Sequence, residues 1–194
     1  MAAKNGLIEI RWCGRGGQGA VTAAKMFAES ALVEGKFIQA FPEYGPERMG
    51  APVKGFTRVS SSPINIHCQI TSPDISVLLD HTLIGIVDIA EGVPKGGVII
   101  VNTNVTPSQL RQAMGLEGRK LYTVDATGIA TKTIGKNLPG SAMMAAVVKV
   151  TAILKLESIT KIFQQEYSHK FKDEIIRANI QAMRMAYEQT RAEE

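Results

Sequence analysis

Six consecutive residues, Gly14-Arg15-Gly16-Gly17-Gln18-Gly19, carry the clearest chemical signal in the chain. They match G-x-G-x-x-G. Glycines in that spacing let a backbone come close to a pyrophosphate, whose charge meets the free amides and positive end of a following helix. A nicotinamide or flavin site would also need an acid at the end of the next strand to take a ribose hydroxyl. Glu43 is the candidate, but it lies beyond Pro42 in what reads as a loop. The residues leave three readings open: a dinucleotide site, a site for another anionic ligand, or a tight strand-to-helix turn packed close to a neighbour.

Other chemistry-bearing residues are sparse. His81 follows Asp80 at a strand end and is a catalytic candidate or a loop histidine, while His169 lies in a polar stretch and reads as a surface residue. His67 and Cys68 are adjacent in an expected strand, so period two points them to opposite faces and denies them a shared metal. The two cysteines, Cys13 and Cys68, form no C-x-x-C pair and cannot supply the four thiolates of an iron–sulfur cluster. A nucleophile elbow, a Walker loop and H-E-x-x-H are all missing from the sequence. Met143, Met144, Met183 and Met185 read as core filling.

The elements that must position these residues alternate between strand and helix. Leu7 to Trp12 alternates apolar and polar residues as a half-buried strand does, and the glycine run then opens a helix from Ala20 to Glu34. Val21, Ala24, Ala28 and Leu32 recur at helical spacing, Gly35 stops the helix, and Phe37 to Phe41 reads as the second strand. From Pro42 to Pro52 the periodicity breaks in a long charged loop, of the kind that often carries function. Val53–Val59 and Ile64–Ile70 predict a β-hairpin about Ser60-Ser61-Ser62-Pro63. Strands are expected at 75–80, 97–102 and 121–125. Helices are expected from Thr106-Pro107, over 126–134, 143–150 and 156–167, and over 173–191 with Ile176, Ile180, Met183 and Tyr187 on one stripe. The expected fold is α/β: a single Rossmann-like domain spanning 1–194, with a mixed, mostly parallel sheet, a β-hairpin and flanking helices.

Composition narrows the classes. The chain has 194 residues, 45% hydrophobic and 21% charged, enough to bury a substantial core without staples. It lacks the long apolar run of a membrane helix and the apolar core of a signal peptide, and its cysteine usage suits a reducing cytoplasm. A net charge of +4 is spread along the chain, and only 6% of residues are aromatic, so the basic, aromatic-interleaved stripe of a nucleic-acid binder is missing.

Two motifs together are far more specific than the glycine run alone. Ile10-Arg11-Trp12-Cys13-Gly14-Arg15-Gly16-Gly17-Gln18-Gly19-Ala20 and Gln39-Ala40-Phe41-Pro42-Glu43-Tyr44-Gly45-Pro46-Glu47-Arg48-Met49-Gly50-Ala51-Pro52-Val53 closely resemble the gamma-type subunits of the 2-oxoacid:ferredoxin oxidoreductases, in the pyruvate (pyruvate synthase) branch. The resemblance runs essentially end to end, and Gly50-Ala51-Pro52 resembles pyruvate or branched-chain members more than 2-oxoglutarate members.

The resemblance implies a complex that oxidatively decarboxylates a 2-oxoacid, reduces ferredoxin and transfers the acyl group to coenzyme A. It implies thiamine diphosphate with Mg and 4Fe–4S clusters on alpha, beta and ferredoxin-like delta subunits, and no cofactor bound by this chain alone. It carries over no catalytic group and no metal ligand. Glu43, Tyr44, Glu47, Arg48 and Met49 are implied as interface residues, with a large exposed apolar patch expected around them. Gly14, Arg15, Gly16, Gly17, Gln18, Gly19 and Arg48 are implied either to contact coenzyme A or to lie at the interface. Alternatives are a 2-oxoisovalerate-specific member, a free-standing nucleotide-binding oxidoreductase and a ligand-free scaffold whose glycine loop is filled by its own side chains.

Overall fold

A computed structural model describes residues 6–43 and 50–193. In chain order these form β1 (Leu7–Arg15), α1 (Ala20–Val33), β2 (Phe37–Glu43), β3 (Pro52–Ser60), β4 (Ile75–Leu78), a 3-10 turn (His81–Leu83), β5 (Val98–Asn102) and α2 (Pro107–Met114). Then follow β6 (Lys120–Val124), α3 (Ala126–Ile134), α4 (Gly140–Thr151), α5 (Leu156–Tyr167), α6 (Asp173–Gln189) and β7 (Arg191–Ala192). Among the described residues one sheet has the order β2-β3-β1-β4-β5-β6-β7. Strands β1, β4, β5 and β6 are parallel, while β3 runs antiparallel to both β1 and β2, and β7 antiparallel to β6. The expected α/β class with a mixed, mostly parallel sheet and flanking helices is what the chain adopts.

The hairpin is elsewhere than expected. Its arms are β2 and β3, and residues 64–70 form no strand. The reason is competition for hydrogen bonds: β3 pairs along its whole length with β1 on one side and along most of it with β2 on the other. No edge of β3 remains for 64–70. That segment is fastened by side chains instead, the Arg58 guanidinium donating to the Cys68 carbonyl at 2.9 Å and Gln39 Nε2 to the Ile66 carbonyl at 3.0 Å.

Each face of the sheet has its own core. Helices α1, α3, α4, α5 and α6 cover one face, over Ile10, Trp12, Val59, Val77 and Ile100. The 3-10 turn, the segment after it and α2 cover part of the other, over Cys13, Leu78, Ile99 and Val101. The buried stripe of α1 is rotated from the expected one: Ala20, Ala23, Ala24, Phe27, Ala28 and Ala31 face inward, and Leu32 is 57% exposed. Alanines let the helix settle onto β3, where a Cβ on Gly55 would come within 3.1 Å of Ala24 Cβ. Thr57 locks this contact, accepting from Trp12 Nε1 at 3.1 Å and donating to the Ala24 carbonyl at 2.7 Å. The amphipathic reading of α6 is correct, with Ile176 and Met183 buried and Ile180 and Tyr187 packed at the margin. The second helix starts as its residues predict, Thr106 and Gln109 closing a capping box ahead of Pro107.

Candidate functional site

The glycine run sits at the carboxyl ends of β1 and β4. From β1 the chain runs outward through β2 and β3 on one side and continues with β4 on the other, so this is the switch point where open α/β sheets place ligands. The turn is shorter than the motif. Gly14 and Arg15 belong to β1, opposite Val53 and Pro52 of β3, and only Gly16 to Gly19 leave the sheet. Gly14 is required for packing, since a Cβ there would lie 3.2 Å from Ala20 Cβ and 3.3 Å from Leu79 Cβ. Gly17 and Gly19 have φ of +94° and +87°, which L side chains rarely adopt. The space beside both is open, and α1 begins at Ala20 with no side chain capping its amides.

The turn is braced by side chains. Gln18 folds back so that its Oε1 accepts the Arg15 amide at 2.8 Å, and its Nε2 donates to Asp80 Oδ2 at 2.6 Å. Asp80, just past β4, takes Thr82 N–H at 2.8 Å and Thr82 Oγ1–H at 2.7 Å on its other oxygen. Arg15 reaches across this cluster. Its Nη2 donates to Thr82 Oγ1 at 2.9 Å, its Nη1 to the Gly50 carbonyl at 3.0 Å, and its Nε lies 3.4 Å from Asp80 Oδ2. Burial alone would raise the Asp80 pKa, but hydrogen bonds from Thr82 and Gln18 and the charge of Arg15 outweigh it and hold the carboxyl below its ordinary value. The local charge is therefore balanced, Arg15 against Asp80.

The second motif is only partly within the described residues. Tyr44, Glu47, Arg48 and Met49 lie outside them. Glu43 ends β2 rather than lying in a loop, exposed, with its carboxylate 3.8 Å from Lys54 Nζ. Because β3 is inserted between β1 and β2, Glu43 stands two strand spacings from the glycine run, roughly 10 Å away. Glu43 is therefore not on the strand next to β1, where a nicotinamide site places its ribose-binding acid. Just before β3, the Ala51 carbonyl accepts the Gly16 amide at 2.9 Å, tying the two motifs together.

The remaining candidates separate from this cluster. His81 is exposed in the 3-10 turn and His169 is exposed after α5. His67 and Cys68 are exposed in the irregular segment, so the strand alternation expected for them does not apply. Cys13 is buried, and burial pushes its thiol pKa up, away from reactivity. Among the described residues no three His, Cys, Asp or Glu side chains group as metal ligands. Nor is any described helix long and apolar enough to cross a membrane.

Asp80 stands out in the sequence only as a neighbour of His81; its signal is Asp-x-Thr at a strand end, where an acid folds back on the second following amide. Arg58 carries no sequence signal, yet it is 1% exposed and its guanidinium meets Glu9 Oε1 at 2.7 Å and Gln39 Oε1 at 3.0 Å. Beside Gly17–Gly19, a groove of about 340 Å³ runs between α1, α4, α5 and α6 over Met26, Met144, Phe163 and Tyr167, with Leu138, Phe171 and Ile175 at its exposed rim. The large exposed apolar patch expected around the second motif is not seen at its described residues: no strongly exposed large hydrophobic residue falls at 43 or 50–53.

Comparison with known proteins gives a consistent result. The family model for pyruvate ferredoxin/flavodoxin oxidoreductases matches residues 9–189. The chain is 44% identical over 184 residues to the "Pyruvate/ketoisovalerate oxidoreductases common subunit gamma" of Thermococcus litoralis, covering 95% of this chain and 97% of that one. It is 41% identical over 182 residues to "Pyruvate synthase subunit PorC" of Methanothermobacter marburgensis, covering 94% and 97%. The crystal structure of pyruvate oxidoreductase subunit PORC from Thermotoga maritima superposes with a TM-score of 0.84 at 40% identity, over 97% of this chain and 99% of that one. A sheet with β3 inserted beside β1, a braced glycine turn and a match along nearly the whole chain place this protein in the pyruvate ferredoxin/flavodoxin oxidoreductase family.

Proposed function

We infer that this chain is the gamma subunit of a pyruvate:ferredoxin oxidoreductase complex, working as one unit over 1–194. The complex carries out coenzyme A-dependent oxidative decarboxylation of pyruvate to acetyl-CoA and CO2, with electrons passed to ferredoxin. The observation that carries the inference is the end-to-end likeness to gamma subunits, 44% identical over 95% of the chain. Thiamine diphosphate, Mg and 4Fe–4S clusters belong to the alpha, beta and ferredoxin-like delta subunits, and this chain contributes a docking surface. Its surface centres on the carboxyl ends of β1 and β4 and the amino end of β3, at the Gly14–Gly19 run and Glu43, with Tyr44, Glu47, Arg48 and Met49 as further interface residues. The complex works in the cytoplasm.

A second role at the same edge is contact with coenzyme A. Open space beside Gly17 and Gly19 and the uncapped amides of α1 favour it, since a phosphate can approach both. Arg15 and Arg48 would then meet phosphate oxygens. The names of relatives, which join pyruvate and ketoisovalerate oxidoreductases through one common gamma subunit, favour use of this chain with a branched-chain 2-oxoacid complex as well.

Reconstitution tests both roles. The purified chain alone is expected to bind no thiamine diphosphate and to turn over no pyruvate, and the mixture with alpha, beta and delta is expected to restore activity. Arg15→Ala and Arg48→Ala are then assayed for complex stability and coenzyme A affinity separately. Weaker assembly with unchanged affinity leaves docking alone. Turnover of pyruvate by the lone chain overturns the inference.

A further inference from the structure

We propose that Asp80 is the positioning residue of the glycine turn, its carboxylate holding Gln18 directly and Arg15 through the Thr82 hydroxyl and charge. In its functional consequence this rests on the docking role just described; in its geometry it does not. The Arg15 amide is the last of β1, and its partner across the ladder is Pro52. Its hydrogen bond goes to Gln18 Oε1 at 2.8 Å instead. That bond exists only while the Gln18 amide keeps one orientation, oxygen toward Arg15 and nitrogen toward Asp80, and the 2.6 Å contact with Asp80 Oδ2 sets that orientation. The same oxygen lies 3.4 Å from Arg15 Nε, while Nε and Nη2 donate to Thr82 Oγ1 at 3.1 and 2.9 Å, a hydroxyl that Asp80 Oδ1 holds at 2.7 Å; together these aim the guanidinium toward the Gly50 carbonyl. Asp80 is itself fixed, 8% exposed, with its other oxygen occupied twice by Thr82. One carboxylate just past β4 thereby fixes the turn after β1 and the guanidinium that spans to the turn before β3.

Hydrogen-bond polarity makes the proposal exacting. With Asp80→Asn, four groups need acceptors: the Arg15 amide, the Gln18 nitrogen, the Thr82 amide and the Thr82 hydroxyl. Whichever way the two amide side chains flip, one donor faces another. With Gln18→Glu, two carboxylates meet at the former 2.6 Å contact. The double variant Gln18→Glu/Asp80→Asn reverses the polarity of the bridge. The carboxylate introduced at position 18 accepts the Arg15 amide and the side-chain nitrogen introduced at position 80, while Arg15 Nε keeps Thr82 Oγ1. The amide oxygen at position 80 keeps Thr82.

Amide hydrogen exchange on the full chain is the test, with Val101 in β5 as the reporter of global unfolding. Each single variant is expected to raise the exchange rate of the Arg15 amide about tenfold relative to Val101, the equivalent of one lost hydrogen bond, and the double variant to return it to within about twofold of the parent. An Arg15 amide unchanged in Asp80→Asn, or a double variant as unprotected as the singles, overturns the proposal. The same variants are then titrated into the alpha, beta and delta subunits. If the exchange pattern holds and assembly follows it, both readings stand. If the pattern holds while assembly and coenzyme A KM do not move, the positioning role stands and the docking role of this edge falls.

Discussion

Gly14→Ala separates a packing glycine from a ligand-cradling one. Gly14 lies in β1 with ladder geometry, so alanine meets no backbone penalty there, and by lowering unfolded-chain entropy it would by itself stabilise by about 0.4–1 kcal/mol. The opposing effect is steric. The added methyl would lie 3.2 Å from Ala20 Cβ and 3.3 Å from Leu79 Cβ, inside the separation of about 3.5–4.0 Å at which carbon atoms attract. Neither neighbour is the far end of a flexible side chain. Ala20 is the first residue of α1, and the Leu79 amide is tied to the Cys13 carbonyl at 2.7 Å. Overpacking of this kind costs about 1–3 kcal/mol, so the net expectation is a loss of about 1–2 kcal/mol. Trp12, the only tryptophan, is fully buried beside Phe27 and reports unfolding in urea by its fluorescence. A lower midpoint at unchanged slope is expected. Gly17→Ala is the contrast: nothing lies within 4 Å of its added methyl, and only the positive φ opposes it, at about 1 kcal/mol. A midpoint for Gly14→Ala equal to or above the parent's would refute the packing assignment.

Thr57→Val should cost about 1–3 kcal/mol, because the buried Trp12 indole N–H loses its acceptor, and a Trp12→Phe/Thr57→Val double variant should fall short of the sum of the singles, retaining only the loss of the Thr57 bond to the Ala24 carbonyl. Denaturation of the three variants checks this cycle, and strict additivity would count against it. In acid, Asp80 supplies a specific portion of the stability profile. Its folded pKa is depressed, so its contribution is complete above the unfolded carboxylate value near 4 and is lost as pH falls through the lower folded value. Melting curves of parent and Asp80→Asn between pH 2 and pH 6 should therefore converge toward the acid end, and parallel profiles would exclude the effect. Arg111 donates to both Glu193 oxygens, at 2.6 and 2.8 Å from Nε, and holds that carboxyl below its ordinary pKa. Arg111→Met should free β7 from β6, seen as exchange of the Ala192 amide about threefold faster or more; an unchanged rate would sink the idea.

Local chemistry made much of the fold legible. Val98 to Asn102 is apolar on both faces because it is a central parallel strand, and Thr106-Pro107 reads as a helix start because a hydroxyl and a fixed φ suit the first turn. The glycine turn was legible for the same reason. The misplaced hairpin shows where local reading ends. Residues 53–59 and 64–70 both alternate, but the partner of β3 is decided by which strands reach it first in space, and β1 and β2 occupy both its edges. The buried face of α1 was hidden because alanine carries little hydropathy signal, whereas its small size is what β3 and Gly55 require. Asp80 was hidden because its partners, Gln18 and Arg15, are over sixty residues away in sequence.

Insertion of β3 also explains how a nucleotide-binding motif can serve a subunit that docks. In a dinucleotide-binding sheet the strand after the first helix lies next to the first strand, and its terminal acid reaches the ribose of a ligand seated on the glycine turn. Here the antiparallel β3 takes that neighbouring place, and Glu43 is carried outward and engaged by Lys54. What adjoins the glycine turn is the return of the second motif, with Ala51 bonded to Gly16 and Gly50 to Arg15. The two family motifs are thus brought together by one strand insertion. The same insertion replaces a ribose-binding acid with a braced surface made of backbone, one arginine and its counter-charge at Asp80. Such a surface is charge-balanced and has no acid on the neighbouring strand to hold a ribose, which suits contact with another polypeptide better than retention of a free dinucleotide.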